Sequence, residues 1–303
     1  MRENVNIRKL QQWIGKTETG YDTVTVFPLQ ALDATFDEEP KQYKGAFAIS
    51  ALRHWLYFLP VTKHSALGAD GHPQRGGFLP PVPLPRRMWA GSQFEFHQPL
   101  CIGDAIARVS TIQNVSHKRG KSGDLIFVRV RHDIHRLGSE NSAPNKENKA
   151  ITEHHDIVYR EPAQLQGQAG TEETVSRARL APPQHAWHHE ITVNDVMLFR
   201  YSALTFNGHR IHYDRPYATE QEGYPGLVVH GPLIATLLLD ALRKHLPGKT
   251  VTHYEFTAIA PLFDTDSFSI CGLPEPSNQC VQLWAMNSKK ELAMKATATL
   301  QLE

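Results

Sequence analysis

The chain has few cysteines, no long apolar run and almost no net charge, and each of these absences excludes a class of protein. Its three cysteines, Cys101, Cys271 and Cys280, show no metal-ligand spacing, so we expect free thiols in a reducing compartment. The sequence contains no run of about 18 apolar residues, and its first residues lack the apolar core of a signal peptide. We therefore expect a cytoplasmic protein that does not associate with a membrane.

The charge balance gives no reason to expect a polyanionic partner. The chain has 32 basic and 31 acidic side chains, a formal net charge of +1, so we expect no binding to nucleic acid. Its 303 residues, 41% of them hydrophobic, suffice for two domains of roughly 150 residues each. The 17 histidines are compatible with acid–base chemistry, which histidine performs near neutral pH.

An internal repeat indicates duplication. Residues 94–104 (FEFHQPLCIGD) and 254–266 (YEFTAIAPLFDTD) share an aromatic-Glu-Phe sequence, a later Pro-Leu pair and an aspartate five residues after the proline. In both halves three strand-like runs follow. We interpret the polar stretch 138–149 as a hairpin loop and place the boundary further on. The predicted domains are residues 1–162 and 181–303, with a linker over 163–180.

Each half also has one helix candidate ahead of its strands. In the second half, apolar residues at helical spacing follow Gly231-Pro232, and proline suits the first turn of a helix. In the first half we predict the corresponding helix over residues 49–59 (ISALRHWLYFL), ended by Pro60. The pattern predicts a buried helix wrapped by a curved antiparallel sheet, twice.

Two clusters are candidates for chemistry. Residues 204–214 (LTFNGHRIHYD) pack several titratable and hydrogen-bonding side chains into a short segment, which is unusual for a solvated loop. Residues 226–232 (GLVVHGP) lead into the predicted second-half helix. A helix amino end presents unpaired N–H groups. The N–H of Gly231 could therefore stabilise the enolate-like oxygen of a thioester.

These two segments carry a resemblance to a known family. FRYSALTFNGHRIHYD followed by GYPGLVVHGPL resembles the MaoC-like hydratases and dehydratases of the hotdog superfamily. The likeness is to the double-hotdog branch, which contains type 2 hydroxyacyl-thioester dehydratases and hydratases for mesaconyl- and itaconyl-CoA. The resemblance implies an α+β double hotdog, with two curved antiparallel sheets each wrapped around a central helix. It also implies an acyl-CoA substrate, no cofactor, no metal and a homodimer.

The resemblance further implies which residues act. The hydratase motif of the family sets an aspartate and a histidine five residues apart, and here these positions are Asn207 and His212. An amide cannot act as a carboxylate base, so proton transfer falls on His212, unless a carboxylate elsewhere assists. We expect His212, Asn207 and Gly231 to be catalytic. Asp214 is a candidate for orienting the imidazole.

For the acyl group, the expected substrate-binding residues are Arg210, Tyr213, Asp214 and His230. Arg210 is the first choice for a free carboxylate, because the motif holds it near the reacting centre and its fork suits that anion. Arg86, Arg87 and Arg215 are alternatives. We also expect the Gly/Pro/His-rich loop 62–81 of the first half to shape the acyl pocket. The preferred reaction is hydration of mesaconyl-C4-CoA or itaconyl-CoA to citramalyl-CoA, in itaconate degradation.

Four other functions stay open at this point. A dehydratase for longer 3-hydroxyacyl thioesters would use the same motif. Hotdog folds also hydrolyse acyl-CoA, so a thioesterase is possible. His209, His212 and Asp214 could be metal ligands of a hydrolase. A non-catalytic acyl-binding module is the last alternative.

Overall fold

The computed structural model of the protein describes residues 5–39, 41–120, 123–138, 143–161, 179–276 and 279–301. The predicted linker 163–180 falls almost wholly outside these residues, so the domain boundaries stay a prediction. The four α-helices of the described part are α1 (Ile7–Gln11), α2 (Val26–Thr35), α3 (Asp195–Leu204) and α4 (Gly231–His245). The strands are β1 (Thr17–Thr23), β2 (Arg86–Phe96), β3 (Ala105–Gly120), β4 (Gly123–Leu137), β5 (Lys149–Arg160), β6 (Trp187–Ile191), β7 (Val251–Ala258), β8 (Phe268–Pro274), β9 (Cys280–Asn287) and β10 (Leu292–Leu300).

All ten of these strands form one antiparallel sheet, in the order β1-β3-β4-β5-β2-β7-β10-β9-β8-β6. The second half repeats the strand order of the first in reverse, as expected for two copies of one unit related by a twofold axis. The strands predicted from the repeat are confirmed, and β4 and β5 pair on either side of the predicted hairpin loop.

The two halves are joined by the strands that carry the repeated motif. β2 pairs with β7, and Phe94 lies opposite Tyr254, its counterpart in the repeat. Both side chains are buried, at 2% and 1% exposure, and their rings lie 6.1 Å apart. The sheets of the two halves therefore join edge to edge into one continuous sheet, and this pairing satisfies the two edges that would otherwise be exposed.

Helix α4 is the central helix of the second half. Pro232 lies in its first turn, and Arg243, Lys244 and His245 lie in its last turn, where cations interact favourably with the helix dipole. Most of the helix is buried, as its wide apolar stripe predicts. The predicted second-half helix is confirmed, and its amino end lies inside the protein.

The predicted first-half helix over residues 49–59 is wrong. The structure has only a 3₁₀ turn there, Arg53–Leu56. Leu52 and Phe58 adopt positive φ values of 67° and 55°, and left-handed residues cannot continue a right-handed helix. Aromatic side chains occupy the corresponding space, with Trp55 lying 5.2 Å from Trp89. The central helix is thus present in the second half and replaced in the first.

The three cysteines are free thiols, and Cys101 and Cys271 are buried, as predicted. Within the described residues, no helix combines the length and the apolar character needed to cross a membrane.

Candidate active site

The segment 204–214 forms a tight loop between α3 and a 3₁₀ turn, Arg210–His212. Helix α3 ends at Leu204, and Phe206 then takes a left-handed conformation with φ of 48°. Asn207 closes the loop: its backbone N–H donates to the carbonyl of Ser202 at 2.8 Å. Its side-chain Oδ1 accepts the backbone N–H of His209 at 3.1 Å. This second bond uses one of the two lone pairs of Oδ1 and leaves one for a water molecule.

The imidazole of His212 is buried and held in one orientation. Its Nδ1 lies 2.7 Å from the carbonyl oxygen of Val228. Because a carbonyl can only accept, Nδ1 carries the hydrogen and Nε2 carries the lone pair. Burial lowers the pKa of His212 to about 4, against the opposing effect of the Val228 hydrogen bond. The side chain is therefore neutral at pH 7, with Nε2 available as a base.

His230 lies directly against His212. Their rings stack at 3.7 Å between centroids with an interplanar angle of 18°. Nε2 of His230 is 2.9 Å from Oγ of Ser202, and burial lowers the pKa of this histidine well below its usual value. His230 was predicted to bind substrate. The structure places it at 1% exposure, behind the proposed base, where it supports the His212 ring.

Gly231 is the first residue of α4 and follows His230 directly. The N–H groups of a first helical turn have no intrahelical partner and lie at the positive end of the helix dipole. A Cβ atom on Gly231 would have Cε of Met294 as its nearest neighbour, at 4.0 Å. There is thus room for a side chain at this position, and the amino end of the helix directly follows His230, whose ring stacks on that of His212.

Arg210 and Asp214 bond to each other. The Nε and Nη2 atoms of Arg210 donate to Oδ2 of Asp214 at 2.9 and 2.7 Å, and its guanidinium lies 4.2 Å over the Tyr217 ring. The prediction that Asp214 orients His212 is corrected, since the Val228 carbonyl holds that imidazole. Arg210 is also a weaker candidate for a substrate carboxylate, because its charge already has a partner. The hydroxyl of Tyr213 donates to the Gly208 carbonyl at 2.9 Å and so braces the loop.

A loop of the first half packs on this segment. The backbone N–H of Arg210 donates to the carbonyl of Asp70 at 2.9 Å, and its Nη1 donates to the carbonyl of Ala69 at 3.0 Å. Gly71 has φ of 86°, and a Cβ atom there would overlap the carbonyl oxygen of Gly208. Only glycine allows this approach. The loop 62–81 therefore contacts the candidate site, and that it shapes the acyl pocket stays a prediction.

The same loop brings two further titratable side chains to the site. Nδ1 of His72 lies 3.2 Å from Oδ2 of Asp70, and its ring lies 4.1 Å from that of His209. The His209 ring is in turn 5.4 Å from that of His212. Burial lowers the pKa of His209 to about 2, with a smaller contribution from His72. The site is thus built from both halves of the chain.

Possible metal ligands group differently from the sequence-based alternative. Within the described residues, Asp70, His72 and His209 offer ligand atoms that all lie within 4.8 Å of one another. The alternative set of His209, His212 and Asp214 is not brought together in this way, since His212 bonds to Val228 and Asp214 to Arg210. The expectation of no metal stays a prediction.

Sequence reasoning missed Asp70, His72, Ser202 and the Val228 carbonyl. The Gly-Ala-Asp-Gly-His run at 68–72 is a signal for a tight turn with polar side chains, but it does not indicate which surface the turn meets. A backbone carbonyl has no sequence signal at all. These partners depend on the packing of distant segments.

Comparisons with known proteins identify the family of this chain. Residues 52–264 match the model of the family described as hydroxyacyl-thioester dehydratase type 2. The chain is 41% identical over 288 residues to a mesaconyl-C(4)-CoA hydratase of Chloroflexus aurantiacus, covering 95% of this chain and 96% of that protein. It is 30% identical over 236 residues to a mitochondrial hydroxyacyl-thioester dehydratase type 2 of Schizosaccharomyces pombe, covering 72% of this chain and 75% of that protein.

Solved structures share the fold. A MaoC-like dehydratase superposes with a TM-score of 0.66 at 13% identity, and the match covers 97% of this chain and 100% of the other. A Mycobacterium tuberculosis protein described as a double hotdog superposes with a TM-score of 0.52 at 11% identity, covering 95% of this chain and 96% of the other. The predicted α+β double-hotdog class is confirmed, apart from the first-half helix.

Proposed function

Because the chain belongs to the hydroxyacyl-thioester dehydratase type 2 family, we propose that it adds and removes water across the double bond of an enoyl-CoA thioester. The proposed substrate is mesaconyl-C4-CoA or itaconyl-CoA, and the product is citramalyl-CoA. The observation that carries the proposal is the position of a buried, neutral imidazole beside the amino end of α4. The 41% identity to a mesaconyl-C(4)-CoA hydratase over 95% of this chain supports the choice of acyl group.

In the proposed mechanism for mesaconyl-C4-CoA, whose double bond is conjugated with the thioester, the carbonyl oxygen accepts a hydrogen bond from the Gly231 N–H. Asn207 Oδ1 orients a water molecule. Nε2 of His212 takes a proton from that water as its oxygen bonds to the β-carbon, and the electrons of the double bond move toward the thioester oxygen. The imidazolium then returns the proton to the α-carbon, which regenerates the neutral base. A positioned general base contributes about 10²–10⁴-fold, and an oxyanion donor contributes about 3–4 kcal/mol.

The tautomer of His212 supports the assignment of Nε2 as the base. The hydrogen on Nδ1 points to Val228 and keeps the lone pair on Nε2 in every turnover. The pKa near 4 means that the imidazole is unprotonated before each reaction. A strongly depressed pKa also makes its conjugate acid a ready proton donor to the α-carbon.

A dehydratase for 3-hydroxyacyl thioesters is the second candidate, favoured by the 30% identity to a protein of that name over 72% of this chain. The experiment that separates the two is a panel of enoyl-CoA substrates: crotonyl, mesaconyl-C4, itaconyl and longer chains. Hydration is followed by mass, as the gain of one water. Preference for the C5 dicarboxyl substrates supports our proposal, whereas preference for long chains supports the dehydratase.

The remaining alternatives need other readouts. Release of free thiol without a hydrated product would indicate a thioesterase. Loss of hydration on chelation would indicate a metal-dependent enzyme. We further propose a cytoplasmic homodimer without a bound cofactor. Because the two halves already pair within one chain, the dimer would use another surface, and light scattering on the purified protein tests its mass.

A further inference from the structure

Most of the arginines around the candidate site already have partners. Three of them hold a carboxylate at salt-bridge distance, so their charge is already neutralised. These pairs are Arg86–Glu222 at 3.1 Å, Arg210–Asp214 at 2.7 Å and Arg215–Asp264 at 2.5 Å. Such pairs are poor receptors for a further anion, because a ligand would have to displace the carboxylate that is bound.

Arg75, in the loop of the first half, is satisfied by backbone carbonyls. Its Nη1 donates to Val82 at 2.6 Å and also to Leu84, and its Nη2 donates to Pro85 at 2.6 Å. Its guanidinium also lies 5.5 Å over the ring of Tyr159. These bonds give Arg75 a structural function: it fixes the loop against β5.

Arg87 differs from these four residues. It lies on β2 directly opposite Tyr159, a buried residue of β5. It makes no salt bridge within the part of the chain that the structure describes. Arg87 is partly buried, so it has lost some of its hydration without gaining a carboxylate. An anionic ligand would supply the missing charge-assisted hydrogen bonds.

The position of Arg87 connects it to the proposed base. The same loop carries Arg75, which covers the partner of Arg87, and His72, whose ring contacts His209 at 4.1 Å. After burial, the positive charge of Arg87 is a further cause that lowers the pKa of His72 and of His209. His209 in turn contacts His212. The cation and the proposed base are therefore linked through the loop of the first half and the His72–His209–His212 contacts.

We propose that Arg87 binds the free carboxylate of a dicarboxylic acyl group, and that it thereby selects such substrates over monocarboxylic enoyl-CoA. In a mesaconyl-C4 group this carboxylate is attached to the carbon that accepts the hydroxyl, so its receptor has to lie beside His212. The planar fork of arginine suits the two carboxylate oxygens. This inference rests on the proposed function and names the residue that recognises its substrate class.

The test combines one substitution in the protein with one change in the substrate and compares their effects, as in a double-mutant cycle. kcat/KM is measured for wild type and Arg87→Met with mesaconyl-C4-CoA and with its methyl ester, which lacks the negative charge. We expect Arg87→Met to lower kcat/KM for the acid about 100-fold more than for the ester. Arg87→Lys keeps the charge without the fork and should recover part of this difference.

Arg86→Met is the matched control. Arg86 is adjacent on β2 but is paired with Glu222, so its loss should leave the acid-to-ester ratio of wild type. Equal losses on both substrates in Arg87→Met would overturn the proposal and give Arg87 a structural function. Loss of the wild-type acid-to-ester preference in kcat/KM on addition of a chelator would also overturn it, in favour of a metal held by Asp70, His72 and His209.

Two further outcomes are distinguishable. If wild type hydrates no enoyl-CoA, the proposed function itself fails. If wild type hydrates the acid and the ester equally well, only the inference on Arg87 fails. Circular dichroism establishes that each variant is folded. If Arg87→Met does not fold, Arg87→Lys is the test. An acid-to-ester ratio of kcat/KM in Arg87→Lys that equals the wild-type ratio would contradict recognition by the guanidinium fork.

Discussion

Nδ1 of His212 donates its hydrogen to the carbonyl oxygen of Val228 at 2.7 Å. This bond joins the 3₁₀ turn of the motif loop to the segment that enters α4. It fixes both the orientation of the imidazole and the nitrogen that carries the lone pair. The proposed base and the proposed oxyanion donor are therefore held by the same short piece of backbone, residues 228–231.

The first prediction concerns His212. His212→Ala removes the proposed base, so we expect kcat for enoyl-CoA hydration to fall about 10²–10⁴-fold. His185 is exposed and outside the candidate site, so His185→Ala should hydrate at the wild-type rate. Near-normal turnover by His212→Ala would remove this residue from the mechanism.

The second prediction is the pH dependence. Because burial lowers the pKa of His212 to about 4, the neutral base persists well below pH 6.5. kcat/KM should therefore stay level from pH 7 to about pH 5 and fall as the pH approaches 4. An acid limb centred near pH 6.5 would contradict the depressed pKa. Circular dichroism at each pH separates this limb from unfolding.

The third prediction tests the Gly231 N–H. Gly231→Pro removes the donor, and His230 already has φ of −61° and ψ of 130°, which a following proline permits. Loss of one oxyanion donor should lower kcat about 10²–10³-fold. Gly231→Ala keeps the N–H, and its Cβ has room, so its loss should be much smaller. Equal losses in the two variants would argue against an oxyanion function for this group.

The fourth prediction concerns contact between the halves. Gly71 and Gly15 both have φ of 86°, but a Cβ meets Gly208 at the first and nothing within 4 Å at the second. Both alanine variants should be destabilised by about 1–2 kcal/mol from backbone strain. Gly71→Ala should also lower hydration activity, because it displaces the loop from the site. Chemical denaturation and kcat/KM measure the two effects, and equal activity in both variants would contradict the coupling.

The fifth prediction concerns a buried ion cluster between the halves. Nη2 of Arg53 lies 3.0 Å from Asp240 on α4 and 3.5 Å from Asp33. Arg53→Met removes a buried cation from two buried carboxylates, which keep Lys41 and Arg243 as partners. The loss of its charged hydrogen bond should lower the free energy of unfolding by about 1.5–3 kcal/mol. The pair Lys244–Glu38 has its lysine 60% exposed, so Lys244→Met should cost at most about 1 kcal/mol. A small effect at Arg53 in denaturant titrations would be inconsistent with this cluster stabilising the fold.

The sequence by itself determined the elements whose signals are local. The apolar stripe after Gly231-Pro232 predicted α4, because a periodic run of leucines fixes one buried helix face. The motif at 94–104 and 254–266 predicted the duplication, and these strands meet at Phe94 and Tyr254. The family resemblance placed the candidate chemistry on Asn207, His212 and Gly231, and the structure brings that loop against the segment that enters α4.

Only the tertiary structure decided the contacts made across long separations. Residues 49–59 have a helical pattern, yet packing against the sheet holds Leu52 and Phe58 at positive φ, which overrides a weak local preference. Asp214 is near His212 in sequence but bonds to Arg210, whereas Val228, 16 residues away, holds the imidazole. Side-chain partners are set by how segments pack. The register of a 3₁₀ turn and the approach of Gly71 to Gly208 therefore cannot be predicted from the spacing of residues in the sequence.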